Sequence, residues 1–130
     1  MATFSFELVS PERLLLSIEA VQVTVPGTEG DFGVFAGHAP VIASLRSGVV
    51  EVDGADGAER IYIAGGLADV KQDQMTVLAE EAIPVADLDR AMLEQKIQNA
   101  REDVEDAKND EALRIAQAKL QHLEDMLTAL

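Results

Sequence analysis

The sequence predicts an α+β chain: an antiparallel β sandwich over residues 1–85, followed by an antiparallel two-helix hairpin over residues 86–130. Three observations carry that prediction. Up to Pro84, apolar residues alternate with polar ones in short runs, the period of a half-buried strand. Glycines and prolines punctuate those runs, as turns between strands require. Beyond Pro84, apolar residues recur every three or four positions as far as Leu130, the spacing of one helix face.

Phe4, Phe6 and Leu8 alternate with Ser5 and Glu7, which places the aromatics on one face of a first strand that Pro11 ends. Ile18 and Ala20 share one parity while Val21, Val23 and Val25 take the other, so a bulge or bend is expected near Ala20. Pro26-Gly27 stops that run. Residues 49–52 form a further strand, and Asp53-Gly54-Ala55-Asp56-Gly57 supplies the turn chemistry of a hairpin. Ile61 and Ile63 flank Tyr62 in the return strand. Gly65-Gly66 is expected to break the ladder, residues 67–70 to resume it, and residues 75–79 to add another strand. Many short strands separated by turns make a sandwich or barrel.

In the second half, Leu93, Ile97, Ala100, Val104 and Ala107 step by four and three. Leu113, Ala116, Leu120, Leu123, Leu127 and Leu130 continue the pattern in a second segment. Asp87 is expected as the first N-cap, a feature worth about 1 kcal/mol. Asn109, followed by Asp110 and Glu111, marks the second start, where the helix dipole favours acids. Two helices joined by a short turn run antiparallel and bury their seams against each other, about 1.5–3 kcal/mol for each large side chain. That seam is Leu93, Ile97, Val104, Leu113, Leu120, Leu123 and Leu127. A flanking stripe of Ile115, Ala118, Met126 and Ala129, interrupted by His122, asks for a second surface, the sandwich or another subunit.

Composition excludes several classes of function. The chain has 24 acids against 10 bases, a net charge of −14, which repels nucleic acid and anionic bilayers alike. It has no cysteine, hence no disulfide and no thiolate metal site. No apolar run approaches the roughly 20 residues of a membrane span, and the opening residues carry neither a secretory nor a transit signal.

Catalytic readings fare no better. The spacing of Gly27, Gly30 and Gly33 lacks the Gly-Lys-Ser/Thr ending of a phosphate loop, and no helix follows it. Glu80-Glu81 would form an acid pair, but neighbouring strand residues point to opposite faces. Ser44 and Ser47 lack the context of an activated nucleophile. His38 reads as a turn residue and His122 as a packing residue, with no carboxylate geometry to make either a metal ligand. No cofactor and no metal are expected.

The segment from Val23 to Pro40, VTVPGTEGDFGVFAGHAP, is studded with Gly27, Gly30, Gly33 and Gly37 and stiffened at its ends by Pro26 and Pro40. It should form a rigid, exposed series of tight turns at one end of the sandwich. The stretch resembles the signature of the epsilon subunit of bacterial-type F-type ATP synthases: a glycine-studded loop ending in Gly-His-Ala-Pro, then a leucine and a glycine, here Leu45 and Gly48. Ile63-Ala64-Gly65-Gly66-Leu67-Ala68-Asp69-Val70 and Val77-Leu78-Ala79-Glu80-Glu81-Ala82 are similar to later strands of that family, and the hairpin follows where the family has one.

The resemblance implies a non-catalytic rotor subunit at the foot of the central stalk. It would bind the gamma subunit, rest on the membrane-embedded c-subunit ring and sit peripherally on the cytoplasmic face of the bacterial inner membrane. The family's ring-contacting acid and histidine map onto Asp31 and His38. The family's hairpin either folds down or extends along gamma towards the alpha/beta catalytic head, where some members block hydrolysis. From Asp87 to Leu130 there are 11 acids and 6 bases, a net charge of −5, so only modest inhibition is expected here.

Some family members bind ATP through an Ile/Leu-Asp-x-x-Arg-Ala motif. Leu88-Asp89 begins it, but Met92-Leu93 stands where Arg-Ala should be; the other register gains Asp87 and Arg90-Ala91 but leads with Ala86. Asp87, Asp89, Arg90 and Arg114 are therefore the candidates for a nucleotide site that the sequence does not complete. The alternative reading is a free-standing nucleotide-sensing module, monomeric and stabilised by its ligand; an acid-pair hydrolase ranks third.

Overall fold

The computed structural model describes residues 2–130, which form two compact units dividing after residue 86. The first contains β1 (Phe4–Val9), β2 (Leu14–Val25), β3 (Phe32–Phe35), β4 (Val41–Gly54), β5 (Gly57–Val70), β6 (Gln74–Ala79) and β7 (Ala82–Pro84). Strand β1 pairs with both β2 and β6, so the order β1-β6-β5-β4-β2 closes on itself. Strand β3 adds to β2, and β7 to β5. Four of the five pairings in the ring are antiparallel; β1 with β6 is parallel. The sequence predicts an all-antiparallel sheet, but a closed ring with an odd number of strands cannot alternate direction all the way round.

Alternation decides which side chains enter the ring. Phe4, Phe6 and Leu8 are buried while Ser5, Glu7 and Val9 are half-buried. Val23 and Val25 face inward from β2, Val50 and Val52 from β4, Met75 and Val77 from β6. The pairing of β2 with β4 shifts register between Ala20 and Gln22, which turns the strand where the change of parity requires it.

Strands β4 and β5 are far longer than the sequence suggests, 14 residues each, joined by the Ala55-Asp56 turn. Gly65-Gly66 does not break the ladder. Strand β5 runs through both glycines, pairing with β7 on one side of them and with β6 on the other. They take φ of +95° and +154°, and a Cβ on Gly66 would lie 2.1 Å from the Leu78 carbonyl oxygen. The glycines bend the strand from one partner to the next without ending it, as a strand does when it turns a corner between packed sheets. Glu80 and Glu81 occupy the bend between β6 and β7, so they are exposed bend residues and not members of a strand. Strands β3 and β7 are too short, at four and three residues, to show a period in the sequence.

The second unit is a helical hairpin. A 3-10 turn at Val85–Asp87 precedes α1 (Arg90–Asp106), and α2 spans Asp110–Thr128. The first cap is Asp89, whose side chain accepts from the Met92 amide at 3.2 Å, and not Asp87 as the sequence predicts. Asp87 is taken up by the 3-10 turn, so the helix starts two residues later. Asn109 caps α2 as expected, accepting from the Ala112 amide at 2.8 Å. The helices pack on one another across the three-residue turn 107–109.

Candidate functional site

The glycine-rich tip is built on the turn between β2 and β3. The Thr28 amide donates to Ser44 O at 3.0 Å, the Gly30 amide to Gly27 O at 3.1 Å, and the Arg46 amide to Pro26 O at 2.9 Å. Gly27 also bridges Leu45. The turn is thereby stapled to the middle of β4. Gly30 and Gly37 adopt positive φ, whereas Gly27 and Gly33 do not. Asp31, at the end of the turn, forms an ion pair with Arg46, and both side chains remain about half exposed, 59% and 49%.

His38 follows β3. Its amide donates to Phe35 O at 3.2 Å, and Nδ1 lies 2.7 Å from Ala39 O, so that nitrogen carries the donated proton. The preceding amide, Gly37, donates to Gln72 O at 2.7 Å, which ties this second turn to the β5–β6 connection. Asp31 and His38 thus flank the four-residue β3 at opposite ends, with roughly 13 Å of strand from Asp31 to its far end. The structure does not bring them into one constellation.

The nucleotide candidates are likewise dispersed. Asp89 is committed to its cap, and Asp87 lies in the 3-10 turn. Arg90 opens α1 and Arg114 stands near the start of α2, so in an antiparallel pair they are roughly 18 Å apart along the axis. The open groove of about 410 Å³ along the hairpin is bordered by Glu94 and Glu124 against the single base Arg101, the wrong balance for a polyphosphate. Among the described residues, no three His, Cys, Asp or Glu side chains converge as metal ligands.

Of the seam residues, Leu93, Ile97 and Leu123 are buried, while Val104, Leu113, Leu120 and Leu127 are half-buried. The flanking stripe divides: Met126 and Ala129 are buried, whereas Ile115 is 56% exposed.

One feature escapes any single-strand reading. Leu67 pairs with Leu78, Leu78 with Val9, and Val9 with Leu14, so four apolar residues from four strands form a row across the outer face of the ring. Leu14, Leu67 and Leu78 are exposed, and Ile42 stands on the same face at 71% exposure. Each looks like an isolated surface residue in sequence; only the registers align them. Arg46 also escapes, although it is the only Lys or Arg between Arg13 and Arg60.

Comparison with known proteins agrees with this architecture. Residues 3–85 match the family profile of the β-sandwich domain of the ATP synthase delta/epsilon chain, and residues 89–129 match that of the C-terminal domain of the ATP synthase epsilon chain. The ATP synthase epsilon chain of Parvibaculum lavamentivorans is 49% identical over 124 residues, spanning 94% of this chain and 93% of that one. Its counterpart in Mesorhizobium japonicum is 49% identical over 121 residues, spanning 92% and 90%. The fold resembles part of the Euglena gracilis mitochondrial ATP synthase, with a TM-score of 0.84 at 23% identity over 99% of this chain and 82% of the matched one. With both halves matched in order and near-full-length relatives at about half identity, the protein belongs to the ATP synthase epsilon chain family.

Proposed function

We propose that this protein is a non-catalytic central-stalk subunit of the F-type proton-translocating ATP synthase, joining gamma to the c-ring and carrying torque between them. One observation carries the reading: a closed, cross-stapled β ring presents an exposed apolar row and a pinned polar tip. An apolar row on a stiff sheet fits a permanent protein partner, because it buries surface without reordering the backbone. The row Leu14-Val9-Leu78-Leu67, with Ile42 beside it, is the gamma-facing surface. The turns bearing Asp31 and His38 face the polar loops of the ring, as two separate contacts and not one. The hairpin, with its seam of Leu93, Ile97, Val104, Leu113, Leu120, Leu123 and Leu127, is the regulatory arm that reaches the alpha/beta head.

Among the described residues no helix is long and apolar enough to cross a membrane. Attachment to the cytoplasmic face of the bacterial inner membrane therefore runs through the partners. The test is recovery of gamma on the tagged protein from its native membranes, with Leu67→Lys/Leu78→Glu as the variant, whose opposite charges face each other across the β5–β6 pair. The unmodified protein is expected to bring gamma with it and the variant to lose it at unchanged thermal stability, since both side chains are already solvent-facing. Equal recovery by the variant would move the gamma contact to another face; a solitary unmodified protein would end the stalk reading.

A further inference from the structure

We propose that Arg46 is the positioning residue of the tip, holding the Asp31 carboxylate by one oxygen so that its other oxygen faces a hydrogen-bond donor or cation on a partner loop. The guanidinium is anchored on both sides: Nη2 meets Asp31 Oδ1, and Nη1 lies 3.4 Å from the carbonyl of Ser47 in its own strand. Its backbone amide simultaneously holds Pro26 O, at the start of the same turn. Gly48 leaves the room this requires, since a Cβ there would lie 2.9 Å from Pro26 Cβ and 3.1 Å from Arg46 Nη1. Arg46 thus grips the turn at both ends, Pro26 by its main chain and Asp31 by its side chain. The Asp31 side chain is still 59% exposed, so the pair offers an oriented acceptor and not a neutralised one. A partner loop meets a carboxylate fixed in direction, which lowers the ordering cost of contact.

This inference rests on the stalk reading only for the identity of the partner loop; the positioning itself is tested on the isolated full-length protein. Amide exchange at Thr28 and Gly30 reports the turn. Arg46→Met and Asp31→Asn are each expected to raise both rates by up to about fivefold, the range of an exposed ion pair, with the urea midpoint of the whole protein unmoved. The double variant should exchange no faster than either single one, and the charge exchange Arg46→Asp/Asp31→Arg should restore most of the protection. An Arg46 acting only through its main-chain bond to Pro26 would leave both rates unchanged in Arg46→Met and would not respond to that exchange. In the unmodified protein, raising salt from about 0.05 M to about 1 M should raise the same rates. Unchanged rates in Arg46→Met, failure of the exchanged pair to restore protection, or indifference to salt each overturns the proposal, whatever the recovery of gamma shows.

Discussion

Replacing Gly66 by alanine tests the bent β5 strand on which the ring depends. The new Cβ would sit 2.1 Å from the Leu78 carbonyl oxygen and 3.0 Å from the Ala79 Cα, both backbone atoms that cannot rotate away. The residue would also be held at φ +154°, a conformation worth roughly 1–3 kcal/mol of strain for any L residue. Relief requires β5 and β6 to separate locally, which endangers the ladder hydrogen bonds near the Gly66–Ala79 pair at about 1 kcal/mol each. The total expected loss is about 3–5 kcal/mol. Gly57→Ala is the control, because Gly57 has φ +140° with nothing within 4 Å of a new Cβ, so it carries the backbone cost alone. Urea unfolding followed by the emission of Tyr62, the single tyrosine in a protein without tryptophan, reports the strand unit directly. With a slope of about 1–3 kcal/mol/M, Gly66→Ala should lower the midpoint by about 1–5 M, and Gly57→Ala by clearly less. Equal shifts for the two would refute the close approach of β5 to β6.

Phe6→Ala, which empties a fully buried position of β1, should cost about 3–5 kcal/mol in the same urea titration. Asn109→Ala removes the α2 cap and should lower hairpin stability by about 1 kcal/mol, read as lost helical ellipticity on heating, with the Tyr62 transition unchanged. Addition of ATP to millimolar concentration should leave the melting temperature unmoved, because Arg90 and Arg114 do not converge; a shift abolished by Arg90→Ala would reinstate a nucleotide site. Deleting residues 87–130 should raise ATP hydrolysis by the assembled enzyme only modestly, given the net charge of −5 on the hairpin.

What the sequence disclosed was periodic; what it hid was relational. Phe4, Phe6 and Leu8 announced β1 because a strand that buries one face must alternate, and Asn109 announced α2 because its side chain replaces a missing amide partner. The bulge near Ala20 was legible for the same reason: a change of parity has no other remedy. The path of β5 through Gly65-Gly66 was not, since a glycine pair can end a strand or bend it and only the neighbours β6 and β7 decide. The first cap was misplaced by two residues because Asp87 and Asp89 are chemically alike, and the 3-10 turn between strand and helix consumed the earlier one.

The same distinction governs the site. Asp31 is singled out by the resemblance to the epsilon family, but its partner Arg46 lies 15 residues away on β4, and only the assembled sheet brings the two together. The apolar row Leu14-Val9-Leu78-Leu67 is a property of three registers, and no segment of sequence contains it.

The central claim is mechanical, that this subunit couples ring rotation to gamma and performs no reaction itself. Synthesis of ATP driven by an imposed proton gradient, in inverted membrane vesicles from cells with and without the subunit, reaches that claim most directly. Coupled synthesis should collapse in its absence and return when the full-length protein is added back. Undiminished gradient-driven synthesis without it would contradict the account.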